Sequence, residues 1–167
     1  MASRRTLLIA LLLLVSGCAA TAAPAARPAT LPQASLRALD RGGQDLASAL
    51  GGRPALLALW ATWCDACQKE RPDLEKLDAW SKEHGGVVVS VAVGEPVDKV
   101  KTFATEHRVP YAVLVDEDFQ LADALGEKRV PATLVVDKSG RIVHTAGALD
   151  ERSVAEFRRL VGAAPVP

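Results

Sequence analysis

The sequence has few cysteines, few aromatic residues and no surplus of charge, and each shortage excludes a class of protein. Its 167 residues include three cysteines, too few for a small secreted domain held together by several disulfides. Lys and Arg together number 20, as do Asp and Glu, so the chain lacks the basic surplus of a nucleic-acid-binding protein. Aromatic residues make up only 4%, but Val, Leu and Ala are plentiful enough to form one apolar core.

The N-terminus has the pattern of a secretion signal. Arg4 and Arg5 precede an apolar run that is too short to span a bilayer as a permanent helix, which indicates that residues 1–17 are a signal peptide. The letters "LVSG" before Cys18 resemble the lipobox of bacterial lipoproteins, in which the cysteine is diacylated and becomes the new N-terminus. Ordinary cleavage near Ala22 and a retained signal anchor are the alternatives.

A low-complexity segment separates this signal from the folded part. Residues 18–34 are rich in Ala, Pro and Thr and contain almost nothing large to bury, which predicts a flexible tether that begins at the lipid-bearing Cys18. Residues 35–167 then form a single domain of about 130 residues, long enough for a core of its own.

The domain alternates strands with helices. A strand-like piece from Leu36, a Gly-Gly turn and a brief helix come first. Continuous apolar runs predict strands buried on both faces at 55–60 and 87–93, and shorter runs predict strands at 111–115, 132–137 and 141–147. Helices are predicted at 65–84, from Pro96 onward, at 118–125 and at 150–161. This order indicates an α/β sandwich around a central mixed sheet.

Two cysteines lie where the first buried strand gives way to a helix, in "WATWCDAC". The sulfur of Cys64 is expected among the free backbone N–H groups at the positive end of the helix dipole, where a thiolate is stabilised. Cys67 lies three residues on, a spacing that suits a disulfide. So short a disulfide loop contributes little to stability, which favours a redox role over a structural one.

Four motifs in the right order resemble the thioredoxin fold and, within it, the membrane-tethered TlpA/ResA-like thiol-disulfide oxidoreductases. They are "WATWC", the proline at position 72, "VVSVAVGE" and "RVPATLVVDKSGRIV", and the resemblance covers about residues 36–162. It implies that Cys64 is an exposed nucleophile that forms a mixed disulfide with a partner protein, and that Cys67, lying deeper, resolves it.

The same resemblance implies roles for three further positions. Ala58 stands where thioredoxin has a buried Asp, so Glu95 becomes the candidate base for Cys67, with a raised pKa. A cap on the following helix, or contact with water, is the alternative role for Glu95. Pro131 is expected in the cis form, which would leave the backbone of Val130 beside the sulfurs to pair with an extended client segment.

The aromatic and polar residues around the motif have simpler interpretations. Trp63 is expected on an apolar surface that partners touch, whereas Trp60 and Trp80 are expected in the core. Thr62 is expected to bond locally to the loop backbone, without a catalytic role. Most relatives have a proline immediately before the second cysteine, whereas this chain has Asp65-Ala66 between the two cysteines. The charge of Asp65 opposes a thiolate at Cys64, which favours a reductant.

Three other functions stay open on the sequence. A copper chaperone or zinc site would need further ligands, and His84, His107 and His144 have no recognisable ligand spacing to the motif. A thiol peroxidase would need a Pro and a Thr at fixed distances before its cysteine, which "LWATWC" does not supply. An inactive interaction module would have no reason to keep both cysteines. No cofactor and no metal are expected.

The resemblance also implies a cellular setting. The expected partners are a disulfide-containing client protein and a membrane thiol that donates electrons. Cytochrome c maturation is a candidate process for this reaction. The protein is expected to act as a monomer. A lipid on Cys18 would anchor it on the periplasmic side of a bacterial membrane. Ala19, in place of a retention Asp, points weakly to the outer rather than the inner membrane.

Overall fold

The computed structural model describes residues 27–39 and 42–162. The predicted signal peptide and Cys18 therefore lie outside the described residues. Within the described ranges no helix is both long and apolar enough to cross a membrane.

In the described part of the chain seven strands form one sheet, in the order β2-β1-β5-β4-β3-β6-β7. The strands are β1 Ser35–Ala38, β2 Gly42–Asp45, β3 Ala55–Trp60, β4 Val87–Val93, β5 Ala112–Asp116, β6 Ala132–Val136 and β7 Ile142–Ala146. Strands β3, β4 and β5 run parallel, while β1, β6 and β7 join antiparallel to their neighbours. The predicted central mixed sheet is confirmed.

Among the described residues, five helices flank this sheet: α1 Leu46–Leu50, α2 Asp65–His84, α3 Val97–Glu106, α4 Gln120–Leu125 and α5 Glu151–Gly162. Every residue of β3 and β4 is buried, as the continuous apolar runs predict. Leu57 and Leu59 pack on the side of α1 and α4, whereas Leu56 and Ala58 pack on the side of α2 and α5. The alternation of side chains along the strands therefore fills two apolar layers, one on each face.

The first hairpin differs from the prediction. Gly42 and Gly43, expected in a turn, belong to β2 and lie opposite Ala38 and Arg37. The antiparallel register therefore places both glycines in the strand rather than in the turn. Glycine was interpreted as a turn signal there, but its pairing in a short edge hairpin overrides that preference.

The folded part also begins before residue 35. Thr30 forms a β-bridge with Arg141, and the backbone N–H groups of Leu31 and Ile142 donate to the carbonyls of Gly140 and Ala29, respectively. Ala34 is buried in the core, and Leu31 packs against it. Residues 29–34, predicted to belong to the flexible tether, are thus part of the domain because they bond to the edge of the last hairpin.

One of the three tryptophans departs from its predicted place. Trp60 is buried and packs at a tilt against Phe103, as expected of a core residue. Trp80 is only half-buried: His84 stacks on it at a centroid distance of 4.5 Å, and the Arg158 guanidinium lies 5.3 Å above its ring. Trp80 therefore seals the edge of the core under charged side chains rather than lying within it.

The turn after α2 requires a glycine at Gly86. A Cβ at this position would lie 2.6 Å from Cγ2 of Val161 and 3.0 Å from Cζ of Phe157, both buried residues of α5. We therefore expect Gly86→Ala to lower the free energy of unfolding by about 1–3 kcal/mol, because α5 must move off the sheet.

Chemical denaturation of Gly86→Ala beside Gly147→Ala checks this expectation. Gly147 has open space around its Cα and no left-handed backbone, so its alanine variant should unfold within about 0.5 kcal/mol of the wild type. Equal stability of the two variants would contradict the packing argument.

Candidate functional site

The two cysteines of the motif form a disulfide at the N-terminus of α2. Cys64 is the N-cap residue of the helix, and its Sγ accepts a hydrogen bond of 3.2 Å from the backbone N–H of Cys67. The Cα atoms of the bonded pair, Cys64 and Cys67, lie 5.3 Å apart. The helix therefore already directs an N–H group and the positive end of its dipole at the sulfur that would carry negative charge after reduction.

The exposures of the two cysteines do not differ as predicted. Cys64 is 5% exposed and Cys67 6%, so the expectation of an exposed nucleophile above a deeper partner is wrong for the disulfide form. The side chain that reaches solvent is Trp63, which is 68% exposed. The indole of Trp63 is thus exposed next to Cys64, in agreement with the surface position predicted for it, and its contact with a partner stays a prediction.

The proline predicted to face the sulfurs does lie beside them. The Val130–Pro131 peptide bond is cis, as predicted. Val130 is half-buried and packs on the apolar cluster that contains both cysteines, and Pro131 lines a small cavity together with Cys67. The fold thus brings together two segments that are more than sixty residues apart in the chain.

Glu95 lies on the other side of the motif and binds the loop that precedes the cysteines. Its carboxylate is buried and accepts two hydrogen bonds of 2.6 Å from Thr62, one from the backbone N–H and one from Oγ1. Lys99 Nζ lies 2.7 Å from Oε1. The predicted interpretations of Glu95 as a helix cap or as a solvated side chain do not describe this geometry.

The pKa of Glu95 shifts in the direction opposite to the prediction. Burial alone would raise the pKa of this carboxyl, but the hydrogen bonds from Lys99 and Thr62 and the charge of Lys99 together outweigh burial and lower it. The expectation of a raised pKa considered burial and missed both partners. Thr62 was expected to bond to the loop backbone, whereas Lys99 could have been found from its i, i+4 spacing.

A second carboxylate, which sequence reasoning missed, lines the cavity beside Cys67. This cavity of about 20 Å³ is bordered by Cys67, Glu70, Pro131 and Tyr111 among others, and Glu95 is not part of its lining. Burial raises the pKa of Glu70, against a weaker opposing hydrogen bond from the backbone of Leu149. Burial likewise raises the pKa of Tyr111 to about 12, so the phenol stays protonated at neutral pH. The sequence does carry a signal for this carboxylate, because Glu70 follows Cys67 by three residues and so lies on the same face of α2.

The predicted metal alternative finds no cluster of ligands. Among the residues that the structure describes, no group of three or more His, Cys, Asp or Glu side chains could hold a metal ion. Each histidine has a different neighbour: His84 stacks on Trp80, His107 contacts the ring of Phe103, and His144 lies 3.5 Å from Asp150.

The contacts of Glu95 make stability depend on pH with a defined sign. A carboxyl whose pKa is lower in the folded than in the unfolded chain stabilises the fold above its unfolded pKa, and that contribution is lost as the pH falls through the folded value. We expect Glu95→Gln to lower the free energy of unfolding by about 1–3 kcal/mol at pH 7, and by progressively less below about pH 4.

Urea denaturation at several pH values checks this dependence. Asp73→Asn is the control, because Asp73 forms an exposed pair with Lys76 on α2 and should change stability by less than about 1 kcal/mol. A constant difference between wild type and Glu95→Gln from pH 7 to pH 3 would show that the charge of Glu95 is not what stabilises the loop.

Comparisons with known proteins agree with this geometry. The model of the AhpC/TSA family matches residues 28–145. The thiol-disulfide oxidoreductase ResA of Halalkalibacterium halodurans is 32% identical over 114 residues, which cover 67% of this chain and 64% of the relative. The chain therefore spans just under two thirds of the length of that relative.

Solved structures resemble the chain over most of its length. A thiol:disulfide interchange protein of the thioredoxin family from Chlorobium tepidum matches with a TM-score of 0.63 and 28% identity, over 81% of this chain and 95% of its own. The thioredoxin domain of a thiol-disulfide oxidoreductase from Bacteroides vulgatus matches with a TM-score of 0.69 and 20% identity, over 80% and 96%, which supports the fold alone. The chain belongs to the AhpC/TSA family and is a TlpA/ResA-like protein with the thioredoxin fold.

Proposed function

We propose that this protein is a thiol-disulfide oxidoreductase that reduces disulfides in partner proteins through Cys64 and Cys67. The observation that supports it most is the disulfide at the N-terminus of α2, which packs against Val130, while the cis-Pro131 lines the small cavity beside Cys67. Its similarity to the ResA oxidoreductases supports the same reaction.

The proposed reaction moves two electrons from the cysteine pair to the client. The thiolate of Cys64 attacks one sulfur of a client disulfide, forms a mixed disulfide and releases the first client thiolate. The thiolate of Cys67 then attacks Sγ of Cys64, which restores the Cys64–Cys67 disulfide and releases the second client thiolate. The proposed membrane thiol donor reduces the pair again, and the backbone of Val130 and the indole of Trp63 hold the client segment during the exchange.

The resolving step requires a base, because Cys67 must lose a proton in a poorly hydrated place. The family resemblance implies Glu95, whose proposed role is to accept this proton. The geometry favours Glu70, because it borders the same cavity as Cys67 and its raised pKa lies closer to neutral pH. Glu95, ionised and bonded to Thr62, is better suited to fixing the loop before Cys64.

The direction of electron flow is proposed from Asp65. This exposed carboxylate follows Cys64 directly, in the first turn of α2, and its charge opposes a thiolate on the neighbouring residue. A less stable thiolate makes the reduced pair a stronger reductant.

The proposed setting is the periplasmic side of a bacterial membrane, either the inner or the outer one, with a lipid on Cys18 as the anchor. The letters "LVSGC" at the end of the apolar run support lipidation. The folded domain begins by residue 29, so the tether between lipid and domain is about ten residues long. Reduction of apocytochrome c is the client reaction that the family resemblance suggests.

Trapping of client proteins tests the assignment of the two sulfurs. Cys67→Ala removes the resolving thiol, so we expect mixed disulfides with clients to accumulate through Cys64 and to disappear when a reducing agent is added. They can be counted on non-reducing gels of cell extracts and identified by mass spectrometry.

Cys64→Ala is the matched control, and it should trap nothing and fail to reduce insulin. Trapping by Cys64→Ala instead of Cys67→Ala would reverse the two roles. Consumption of hydrogen peroxide by the wild type, at a rate above that of insulin reduction, would support the peroxidase alternative.

The base for Cys67 is tested by the pH dependence of resolution. In a preformed mixed disulfide between Cys64 and a peptide, we expect the wild-type rate to rise with pH through the raised pKa of Glu70, because only the ionised carboxylate accepts a proton. Glu70→Gln should remove this rise and slow resolution at neutral pH by about tenfold to a hundredfold.

Glu95→Gln is the matched comparison, and single-turnover release of a fluorescent peptide is the measurement. Glu95→Gln should keep the pH profile of the wild type. Loss of the rise in Glu95→Gln, with Glu70→Gln unaffected, would return the role of base to Glu95.

A further inference from the structure

We propose that a groove beside the disulfide selects clients in which a large apolar side chain and an acidic residue lie close to the reactive cysteine. This inference rests on the proposed function. The groove is lined by Trp63, Phe119, Arg129 and Val130 at its rim, and it is called the aromatic groove below.

The aromatic groove has an apolar floor and an exposed aromatic rim. Leu59, Val93 and Ala122 form the floor, and all three are buried. Trp63 and Phe119, on the rim, are 68% and 49% exposed, and they are the large apolar side chains exposed in the part of the chain that the structure describes. Two exposed aromatic rings over one apolar floor are typical of a binding surface.

The volume of the aromatic groove limits what can occupy it. It measures about 190 Å³. A protein cavity of about 150 Å³ holds a benzene molecule, so this space accepts one aromatic or branched side chain and is too small for a ligand of cofactor size, which needs about 300 Å³ or more.

Phe119 is held in place although its ring is exposed. It has a left-handed backbone, with φ of 59°, and its ring lies over Gly94, where a Cβ would come closer than 3.0 Å to three ring carbons. The N–H of Gly94 donates to the carbonyl of Asp116, and Oδ2 of Asp116 accepts from the N–H of Ala122 in α4. Phe119 is thus held at the rim before a client binds, which lowers the entropy lost on binding at this side chain.

The charged residues of the aromatic groove leave one cation without a partner. Asp123 pairs with Lys128, and Glu127 pairs with Arg27. Arg129 is exposed and forms no hydrogen bond or ion pair with any residue in the described ranges. An acidic residue in the client would complement this unpaired guanidinium, whereas a basic one would be repelled.

The position of the aromatic groove indicates that its occupant is a polypeptide rather than a free small molecule. Trp63 directly precedes Cys64, and Val130 directly precedes the cis-Pro131, so the groove ends at the place where the mixed disulfide would form. A client chain bonded to Cys64 and paired with the backbone of Val130 would carry its neighbouring side chains across this floor.

Competing peptide substrates test the proposal with the reduced full-length protein. Each decapeptide carries one cysteine in a mixed disulfide with glutathione, and the three peptides combine Phe with Glu, Ser with Glu, or Phe with Lys at the flanking positions. Glutathione disulfide serves as a substrate too small to reach the floor. The measured quantity is kcat/KM for thiol release.

We expect the Phe/Glu peptide to react about tenfold faster than the Ser/Glu peptide, because the Phe side chain is buried on the apolar floor. It should react about threefold faster than the Phe/Lys peptide, because Glu attracts Arg129 and Lys is repelled by it. Phe119→Asn should remove the preference for Phe, since asparagine tolerates the left-handed backbone that this position requires. Arg129→Glu should reverse the preference for charge, and Arg129→Lys should retain it.

Arg152→Glu is the matched control, because it makes the same change in charge on α5, across the sheet from the aromatic groove, at an exposed residue. It should leave all three peptide rates unchanged. Recognition is read from the ratio of two peptide rates within one variant, whereas a loss of folding or of redox chemistry would lower all rates together, including the rate with glutathione disulfide.

Failure of the proposal and failure of the proposed function give different results. Equal rates for the three peptides, with glutathione disulfide reduced normally, would overturn the proposal and leave the function standing. No reduction of any substrate would overturn the function. A dimer that Phe119→Asn dissociates in sedimentation would show that a second copy fills the groove, and would also overturn the proposal.

Discussion

The site depends on the register that joins β3 to β4 on one side and to β6 on the other. Trp60 lies opposite Ala92 in the parallel pair, so the loops that carry Thr62 and Glu95 leave the sheet at the same edge. Leu59 lies opposite Ala132 in the antiparallel pair, so β6 begins at that edge and the proline before it reaches the disulfide. A slip of one residue in either pair would turn buried side chains to the opposite face, which the two apolar layers resist.

The electrostatics of this edge follow from where hydrogen-bond donors are available. Glu95 and Glu70 both experience burial, which disfavours a carboxylate, yet their pKa values shift in opposite directions. Glu95 has Thr62 and Lys99 as donors, whereas for Glu70 burial outweighs the hydrogen bond from the backbone of Leu149. Glu95 is therefore suited to remain ionised and to order the loop that it binds, whereas Glu70 is suited to gain and lose a proton.

Most of the architecture could be predicted from the sequence because each element has a strong local signal. The apolar runs of β3 and β4 require burial on both faces, and the helix after Cys64 keeps its predicted bounds, ending where Gly85 takes a left-handed backbone. The partners of Glu95 were missed because Thr62 is distant in sequence. Phe119 was missed because nothing local marks an exposed aromatic ring whose position depends on the absence of a Cβ at Gly94. The bonds of residues 29–34 were missed because an edge pairing of so few residues leaves no periodic pattern.

Both cysteines of the disulfide are almost completely buried, so access to them depends on the residues that surround the disulfide. With Cys64 only 5% exposed, a sulfur nucleophile that approaches from solvent finds little surface to attack. Trp63 is the exposed side chain next to Cys64, and Val130 packs on the apolar cluster that contains both cysteines, so the proposed client would approach between these two residues. In the proposed reaction, a client that approaches there would contact Trp63 and Val130 whether or not its chemistry needs them. Selectivity can therefore arise from the surface beside the disulfide while the reactive atoms stay the same.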